Sequence, residues 1–328
     1  MVTDLFTISA AEFTSRALDT FGFQYAHNPL YRDFADALGV QPGKVARLED
    51  IPFLPVGFFK SREVRTGEFE PEVVFRSSGT TGMVTSSHLV RDAGLYRQSF
   101  RAGFEYFYGP VSDWCIIGLL PAYLERSDSS LVFMVNDLIG ASGHPDSGFY
   151  LYEHGALDAM LRRLEAAKQK TLLIGVTFAL LDFAERYSIS LRHTVVMETG
   201  GMKGRRREIT REELHAVLRQ RLGVTVVHAE YGMTELLSQA YSAGEGLFRC
   251  PPWMKVLVRG EDDPLEVRAS GEGLINIIDL ANTWSCAFIA TEDVGMLRAD
   301  GGFTVAGRLD HSDVRGCSLL VLNERIYP

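Results

Sequence analysis

Cysteine is scarce in this sequence, and its spacing excludes two common uses. Four cysteines occur among 328 residues, namely Cys115, Cys250, Cys286 and Cys317. They lie far apart and form no C-x-x-C pair, so the sequence predicts neither a disulfide framework nor a zinc site. Each cysteine therefore has to be interpreted singly.

Long apolar runs and an excess of positive charge are also absent. No run approaches the roughly 20 residues of a membrane-spanning helix, and the N-terminus lacks the basic and apolar regions of a signal peptide. The 33 Lys and Arg against 42 Asp and Glu give a net charge of -9, which disfavours nucleic acid and anionic membranes as partners. Neither G-x-S-x-G nor H-E-x-x-H occurs, so the sequence gives no support for hydrolase or zinc-protease chemistry. We expect a cytoplasmic protein with no nucleic-acid partner and no membrane span.

The sequence does contain a regular alternation of strand and helix patterns. Apolar runs of strand length, which are typical of parallel strands covered on both faces, alternate with amphipathic helical segments and predict an open α/β sheet. The predicted strands are residues 114–120, 171–176, 193–197 and 224–228, and the predicted helices include residues 88–107, 154–169 and a helix capped by Thr210 and Glu213. Residues 8–40 are predicted to form one or two helices, residues 51–61 an extended segment, and the chain from about residue 253 a β-rich region with a hairpin at residues 300–302.

Small and hydroxylated residues follow the apolar segment 72–75. The run is Ser77, Ser78, Gly79, Thr80, Thr81 and Gly82. Its amides and hydroxyls can converge on phosphate oxygens, because no bulky side chain keeps a ligand away from the backbone. It is not a Walker P-loop, since no Lys follows the second glycine. An ordinary Ser/Thr/Gly turn remains the alternative interpretation.

Two further candidate loops follow predicted strands. The first contains Thr199, Gly200 and Gly201, whose bare backbone could admit a flat base. In the second, Tyr231 and Gly232 precede Thr234 and Glu235. Here Tyr231 offers a face for stacking, Thr234 a hydroxyl for phosphate, and Glu235 a carboxylate for Mg²⁺. Taken singly, Gly200 and Gly201 could equally form an ordinary turn, and Glu235 could equally be a solvated acid at the start of a helix. We expect them to line one crevice with the phosphate loop.

Together these motifs resemble those of the adenylate-forming superfamily, which activates carboxylic acids as acyl-AMP. Residues 77–82 are similar to its phosphate loop and residues 231–235 to its Y-G-x-T-E motif, while residues 291–293 and 307–310 are similar to its ribose-binding and hinge motifs. The resemblance implies the α/β fold of the superfamily's N-terminal domain with a β-rich subdomain, ATP and Mg²⁺ as cofactors, and nucleotide binding by Asp293 and Arg308. It also leads us to expect one domain over residues 1–310 and a short C-terminal arm over 311–328, without the usual separate C-terminal domain.

A narrower resemblance is to the acyl-protein synthetases of the LuxE type. The similar segments are residues 51–61, 120–126, 198–204 and 313–317. This resemblance implies ATP-dependent activation of a fatty acid, acylation of the protein's own cysteine near the C-terminus, and transfer to a partner acyl reductase or an acyl carrier. The alternatives are an acyl- or aryl-CoA ligase and a nucleotide-binding protein of this fold without catalysis.

Two lysines of the superfamily are missing from this chain. Thr85 stands where a lysine usually follows the phosphate loop, and we expect no counterpart of the C-terminal domain that carries the second catalytic lysine. A cation near the α-phosphate must come from elsewhere, and we favour Lys203 over Arg205, Arg206 and Arg207 because it lies nearest the glycines. A solvated basic patch is the alternative for this run.

Cys317 is the candidate nucleophile. Gly316 before it allows unusual backbone angles, and Arg315 can favour the thiolate. The apolar residues 319–322 equally allow a terminal strand that buries the cysteine. The resemblance to the LuxE type favours acylation of Cys317.

Overall fold

A computed structural model describes residues 4–77, 84–120, 128–200 and 209–309. In these residues the helices are α1 Ala10–His27, α2 Pro29–Ala37, α3 Phe58–Ser61, α4 Ala93–Tyr108, α5 Ser130–Ser142, α6 His154–Ala166, α7 Thr177–Arg186 and α8 Arg211–Leu222. The strands are β1 Leu54–Pro55, β2 Val73–Arg76, β3 Ser87–Val90, β4 Cys115–Leu119, β5 Gly148–Phe149, β6 Thr171–Gly175, β7 Thr194–Glu198, β8 His228–Tyr231, β9 Ala240–Ser242, β10 Phe248–Arg249, β11 Met254–Arg259, β12 Val267–Arg268, β13 Gly271–Asp279, β14 Phe288–Leu297 and β15 Phe303–Arg308.

Parallel strands form one half of a large mixed sheet. Their order is β8, β7, β6, β4 and β5, and each neighbouring pair is parallel. Every residue of β4 and β6 is buried, as expected for strands that helices cover on both faces. The predicted α/β sheet is therefore confirmed, and Cys115 lies in its core as expected.

Antiparallel strands extend the same sheet beyond β8. The order continues through β9, β10, β15, β14, β13, β11 and β12, and the short strand β1 pairs with β14 in parallel. The predicted β-rich region is present as β11 to β15, and its hairpin turns at Gly301, where the backbone φ is 80°. These strands bury apolar side chains against the rest of the sheet, so this region and the parallel half share a single core.

Three sequence predictions need correction. Residues 87–90 form β3 rather than the start of a helix, and α4 begins only at Ala93, where the Asp92 side chain accepts a hydrogen bond from the amide of Leu95. The strand predicted at 224–228 lies at His228–Tyr231, because pairing with β9 orders residues 229–231. Third, β2 lies outside the large sheet, so it does not neighbour the strands that precede the other two candidate loops.

Within the described ranges, strand β2 pairs only with β3, in a separate two-stranded antiparallel sheet. The phosphate-loop sequence therefore connects the two strands of a hairpin and does not follow a strand of the parallel sheet. Of the strands that precede the three candidate loops, β7 and β8 are neighbours in the large sheet. Their loops therefore lie at adjacent carboxyl ends of strands, where open α/β sheets bind ligands.

The helix that precedes β8 has the predicted ends. Thr210 accepts a hydrogen bond from the Glu213 amide, and the Glu213 carboxylate accepts one from the Thr210 amide. Gly223 ends the helix with φ of 65°, and a Cβ at this position would lie 2.8 Å from the Cα of Ser190. A glycine is needed here because of both the backbone angle and the close approach. None of the helices in the described ranges is long and apolar enough to cross a membrane.

Candidate active site

The loop after β7 is fixed by a buried carboxylate that the sequence analysis gave no role. Glu198 is 2% exposed. Its Oε1 accepts a hydrogen bond from Nε of Arg211 at 2.9 Å, and its Oε2 accepts one from the Gly200 amide at 2.7 Å. Burial raises the pKa of Glu198, but His215, Arg211 and the Gly200 amide outweigh burial and hold that pKa below its usual value. Glu198 is therefore a charged anchor that holds the candidate base-binding loop in place.

The same loop contains the buried hydroxyl of Thr199. Its amide donates to the carbonyl of Gly175, but its Oγ1 is buried and has no hydrogen-bond partner in the described part of the chain. The next residue, Gly200, has φ of 69°, which only glycine adopts without strain. Buried hydroxyls are normally paired, so a ligand that supplies a hydrogen-bonding group to Thr199 fits this loop.

The loop after β8 begins with a three-residue network. The Tyr231 hydroxyl donates to Oδ2 of Asp293 at 2.7 Å, and Nε of Arg308 donates to Oδ1 of the same carboxylate at 3.0 Å. The side chain of Arg308 is 60% exposed, whereas that of Asp293 is 9% exposed. Burial, followed by the charge of Asp293, holds the pKa of Tyr231 well above its ordinary value. The structure thus brings together three residues that the sequence analysis selected separately.

The segment that carries Thr234 and Glu235 is held by its backbone carbonyls. Nδ1 of His88 lies 2.8 Å from the Thr234 carbonyl oxygen, and Nδ2 of Asn282 donates to the Glu235 carbonyl at 2.7 Å. His88 and Asn282 also contact each other, with Nε2 and Oδ1 3.1 Å apart. No local pattern in the sequence relates either residue to the Y-G-x-T-E motif, so neither was predicted.

Glu235 connects this segment to the phosphate-loop hairpin. Its side chain is 4% exposed; burial raises its pKa, and a hydrogen bond from the Ser86 side chain opposes that rise. The Ser86 amide in turn donates to Oγ of Ser77 at 2.9 Å. Ser77 and Ser86 thus close the base of the phosphate loop directly beside Glu235.

The described residues include one candidate metal ligand rather than a preformed metal centre. In the described ranges, no group of three or more His, Cys, Asp or Glu side chains is arranged to hold a metal ion. Magnesium is usually bound by one or two carboxylates together with substrate phosphates. Glu235 beside the phosphate-loop hairpin fits that arrangement.

Eight of the predicted site residues lie outside the described residues. They are Ser78, Gly79, Thr80, Thr81, Gly82, Gly201, Lys203 and Cys317. Their roles stay predictions, as do those of Arg205, Arg206, Arg207 and the proposed arm over residues 311–328.

The other cysteines occupy sites that disfavour the thiolate. Burial raises the pKa of Cys115 to about 11 and the pKa of both Cys250 and Cys286 to about 12. Since the thiolate is the reactive form, none of these cysteines lies in a setting that activates it.

Comparison with known proteins agrees with this geometry. The family description "Acyl-protein synthetase, LuxE" matches residues 10–327. The chain belongs to the LuxE acyl-protein synthetase family. Two relatives named "Long-chain-fatty-acid--luciferin-component ligase" are each 24% identical, one from Vibrio harveyi over 94% of this chain and 87% of its own, and one from Aliivibrio fischeri over 93% and 86%.

Solved structures share the fold. A 2-hydroxyisobutyryl-CoA ligase in complex with R3-HIB-AMP matches with a TM-score of 0.63 and 13% identity, over 94% of this chain and 70% of its own. ATP-bound MatB from Rhodopseudomonas palustris matches with a TM-score of 0.55 and 17% identity, over 86% of this chain and 58% of its own. The chain thus spans little more than half the length of MatB. This LuxE-family protein is an enzyme of the ligase class with the adenylate-forming fold, and family and fold together support ATP-dependent activation of an acid.

Proposed function

We propose that this enzyme activates a fatty acid with ATP, transfers the acyl group to its own Cys317, and passes it to a partner acyl reductase or an acyl carrier. The observation that carries the proposal is the junction at Glu235, where the Y-G-x-T-E segment meets Ser86 at the base of the phosphate-loop hairpin. The family match and the relatives named as fatty-acid ligases support the choice of acid.

In the first step, a carboxylate oxygen of the acid attacks the α-phosphorus of ATP. The new P–O bond gives acyl-AMP, and the bond to the β-phosphate breaks so that pyrophosphate leaves with its electron pair. The enzyme's task is to align the acid and to offset negative charge around phosphorus, which is electrostatic work. We assign that work to the hydroxyls of residues 77–81, to Thr234 and to Lys203.

Several described residues would hold the nucleotide. Thr199 and Gly200 would face the base, Tyr231 would offer its ring, and the Asp293 carboxylate, oriented by Tyr231 and Arg308, would bind the ribose hydroxyls. Magnesium bound at Glu235 would neutralise phosphate charge. The buried, hydrogen-bonded setting of these groups reduces the reorganisation that binding would require.

In the second step, the Cys317 thiolate attacks the acyl carbonyl. A C–S bond forms, the C–O bond to AMP breaks, and AMP leaves with the electron pair. The settings of the remaining cysteines support this assignment, since burial raises the pKa of each of the three. The acyl group then moves from the thioester to the partner.

Acid-dependent exchange of labelled pyrophosphate into ATP tests the proposal. The purified enzyme, ATP and Mg²⁺ are incubated with saturated fatty acids of several lengths and with aryl acids. We expect exchange with at least one acid, together with a hydroxylamine-labile mass increase equal to one acyl group. Exchange without acylation, followed by thioester formation on added coenzyme A, would instead favour a CoA ligase. ATP binding without exchange for any acid would favour a nucleotide-binding protein without catalysis.

A further inference from the structure

A bulge interrupts the pairing of β14 with β13 at the candidate ribose-binding motif. The pairing is regular on both sides of residues 291–293, but its register shifts by two residues across them. These three residues of β14 therefore lie opposite the single residue Ile275 of β13. We call residues 291–293 the β14 bulge. Bulges bend a strand and change the direction of its side chains, and they are frequent next to active sites. The carboxylate of Asp293 is carried by such a bulge.

The side chain of Arg259, on β11, reaches across β13 to this bulge. Its Nη1 donates hydrogen bonds to the Ile275 carbonyl oxygen at 3.2 Å and to Oδ1 of Asn276 at 2.6 Å. Its Nη2 donates to the carbonyl oxygen of Thr291. The guanidinium therefore joins β13 to β14 at the point where the regular pairing of the two strands is interrupted.

Thr291 connects this arrangement to Asp293. The Thr291 hydroxyl donates to the Ile275 carbonyl oxygen at 2.8 Å and accepts a hydrogen bond from the Asp293 amide at 3.1 Å. Thr291 is thus held at its carbonyl by Arg259 and at its hydroxyl by Ile275, and it holds the backbone of Asp293 in turn. The Tyr231 hydroxyl then orients the carboxylate itself.

Arg259 is a buried charge with a specific shape. It is 9% exposed. Burial lowers the pKa of Arg259 to about 10, against the opposing charge of Glu292, so the guanidinium is still charged near neutral pH. A buried charge is costly unless it is hydrogen-bonded. The guanidinium meets that need with several donors in a rigid planar fork, which the single nitrogen of a lysine does not reproduce.

We propose that Arg259 is a positioning residue that makes the enzyme selective for ribonucleotides, because it holds the β14 bulge so that the Asp293 carboxylate meets the ribose hydroxyls. This inference rests on the proposed function, in which Asp293 binds the ribose, and it adds a residue that belongs to none of the sequence motifs. Sites built to hydrogen bond a hydroxyl reject analogues that lack it. Selectivity against deoxynucleotides therefore reports on the position of Asp293.

The test compares ATP with 2′-deoxyATP and 3′-deoxyATP, each of which lacks one ribose hydroxyl. Pyrophosphate exchange gives kcat/KM and titration calorimetry gives Kd for each nucleotide with the wild type, Arg259→Met, Arg259→Lys and Asp293→Asn. We expect the wild type to prefer ATP to at least one deoxynucleotide by at least about tenfold. Arg259→Met and Asp293→Asn should each lose most of that preference.

Arg221→Met is the matched control. The guanidinium of Arg221 also donates to two backbone carbonyls, those of Ala184 and Glu185, but it does so between α7 and α8. Its loss removes the same kind of hydrogen bond from the fold without touching the β14 bulge. Arg221→Met should therefore keep the full preference for ATP even if it lowers the Tm.

A double variant and a conservative variant distinguish positioning from a merely structural role. If Arg259 acts through Asp293, adding Arg259→Met to Asp293→Asn should not change the preference further. Arg259→Lys keeps the charge but not the fork, so its preference should fall between those of the wild type and Arg259→Met; it is the informative variant if Arg259→Met does not fold. A wild-type preference in folded Arg259→Met or, failing that, in Arg259→Lys overturns the proposal, as does a further loss in the double variant.

The binding measurements separate this proposal from the proposed reaction. If Kd shows a preference for ATP that Arg259→Met loses, while no acid supports exchange, the positioning role stands and the reaction fails. If exchange is normal and Arg259→Met keeps the preference of the wild type, the reaction stands and the positioning role fails. Normal exchange by a wild type that does not distinguish ATP from either deoxynucleotide also overturns the positioning role.

Discussion

Nδ1 of His88 lies 2.8 Å from the carbonyl oxygen of Thr234, a residue 146 positions further along the chain. A carbonyl only accepts hydrogen bonds, so Nδ1 carries the proton in this contact. The contact joins β3, which follows the phosphate loop, to the segment with Thr234 and Glu235. It therefore fixes two parts of the candidate nucleotide site relative to each other.

His88 should consequently act as a positioning residue. In His88→Leu the Thr234 carbonyl loses its partner, and exchange should fall by on the order of tenfold or more, since a lost buried hydrogen bond costs about 1 to 3 kcal/mol. Asparagine places an amide nitrogen close to the position of Nδ1, so His88→Asn should retain more exchange than His88→Leu. Equal losses in two folded variants would show that the hydrogen bond does not position the segment.

The pH dependence of stability should reveal the state of Glu230. Its folded pKa is about 8, against an ordinary value of 4.5, so between these values the folded chain binds the proton more tightly than the unfolded chain. Stability from this group is therefore present below pH 4.5 and is lost as the pH rises towards 8. The titratable groups that act on Glu230, or that it acts on, are Glu198 of β7, Tyr96 of α4 and Tyr241 of β9.

Glu230→Gln cannot lose a proton and should remove this dependence. We expect the variant to gain about 3 kcal/mol of unfolding free energy relative to the wild type between pH 5 and pH 8. Urea unfolding at both pH values measures the difference, and Glu272→Gln serves as the exposed control. A difference that does not change with pH would mean that Glu230 is ionised in the folded protein.

Thr81 and Glu235 are predicted to act on the phosphates. Thr81→Ala and Glu235→Ala should each lower pyrophosphate exchange by on the order of a hundredfold if each removes about 3 kcal/mol of transition-state stabilisation. Thr225→Ala and Glu272→Ala, at exposed positions, should leave exchange unchanged. Full activity in both site variants would refute the assignment of the phosphate site.

Lys203 is predicted to replace the missing phosphate-loop lysine. Lys203→Ala should lower kcat for adenylation more than it weakens ATP binding, because a contact made mainly in the transition state appears in kcat. Single-turnover acyl-AMP formation and ATP titration separate the two effects, with Lys44→Ala as an exposed control. Normal adenylation in Lys203→Ala, together with a loss in Arg205→Ala or Arg206→Ala, would assign the role to that arginine.

Cys317 is predicted to carry the acyl group. After incubation with ATP and an activated acid, the wild type should gain one hydroxylamine-labile acyl group by intact mass. Cys317→Ser should still release pyrophosphate but should gain no thioester. An acyl group that survives in Cys317→Ser, or that peptide mapping places on Cys115, Cys250 or Cys286, would contradict the assignment.

The sequence alone determined the class of fold and many of its elements. The uninterrupted apolar runs of β4 and β6 identified buried parallel strands because a strand covered on both faces needs apolar residues at every position. The capping residues Thr210 and Glu213 marked the start of α8, because capping bonds join residues close in sequence. The order of the motifs identified the family, which the match over residues 10–327 bears out.

Only the tertiary structure decided which residues meet. The pattern of apolar residues could not place β8 at residues 228–231, and it could not show that β2 lies outside the large sheet. Both depend on strand pairing with partners distant in the chain. The same holds for the contacts of Asn282 with Glu235 and of Tyr231 with Asp293. Local residue patterns reflect local backbone preferences and burial, whereas the arrangement of a site depends on long-range contacts that form only when the whole core packs.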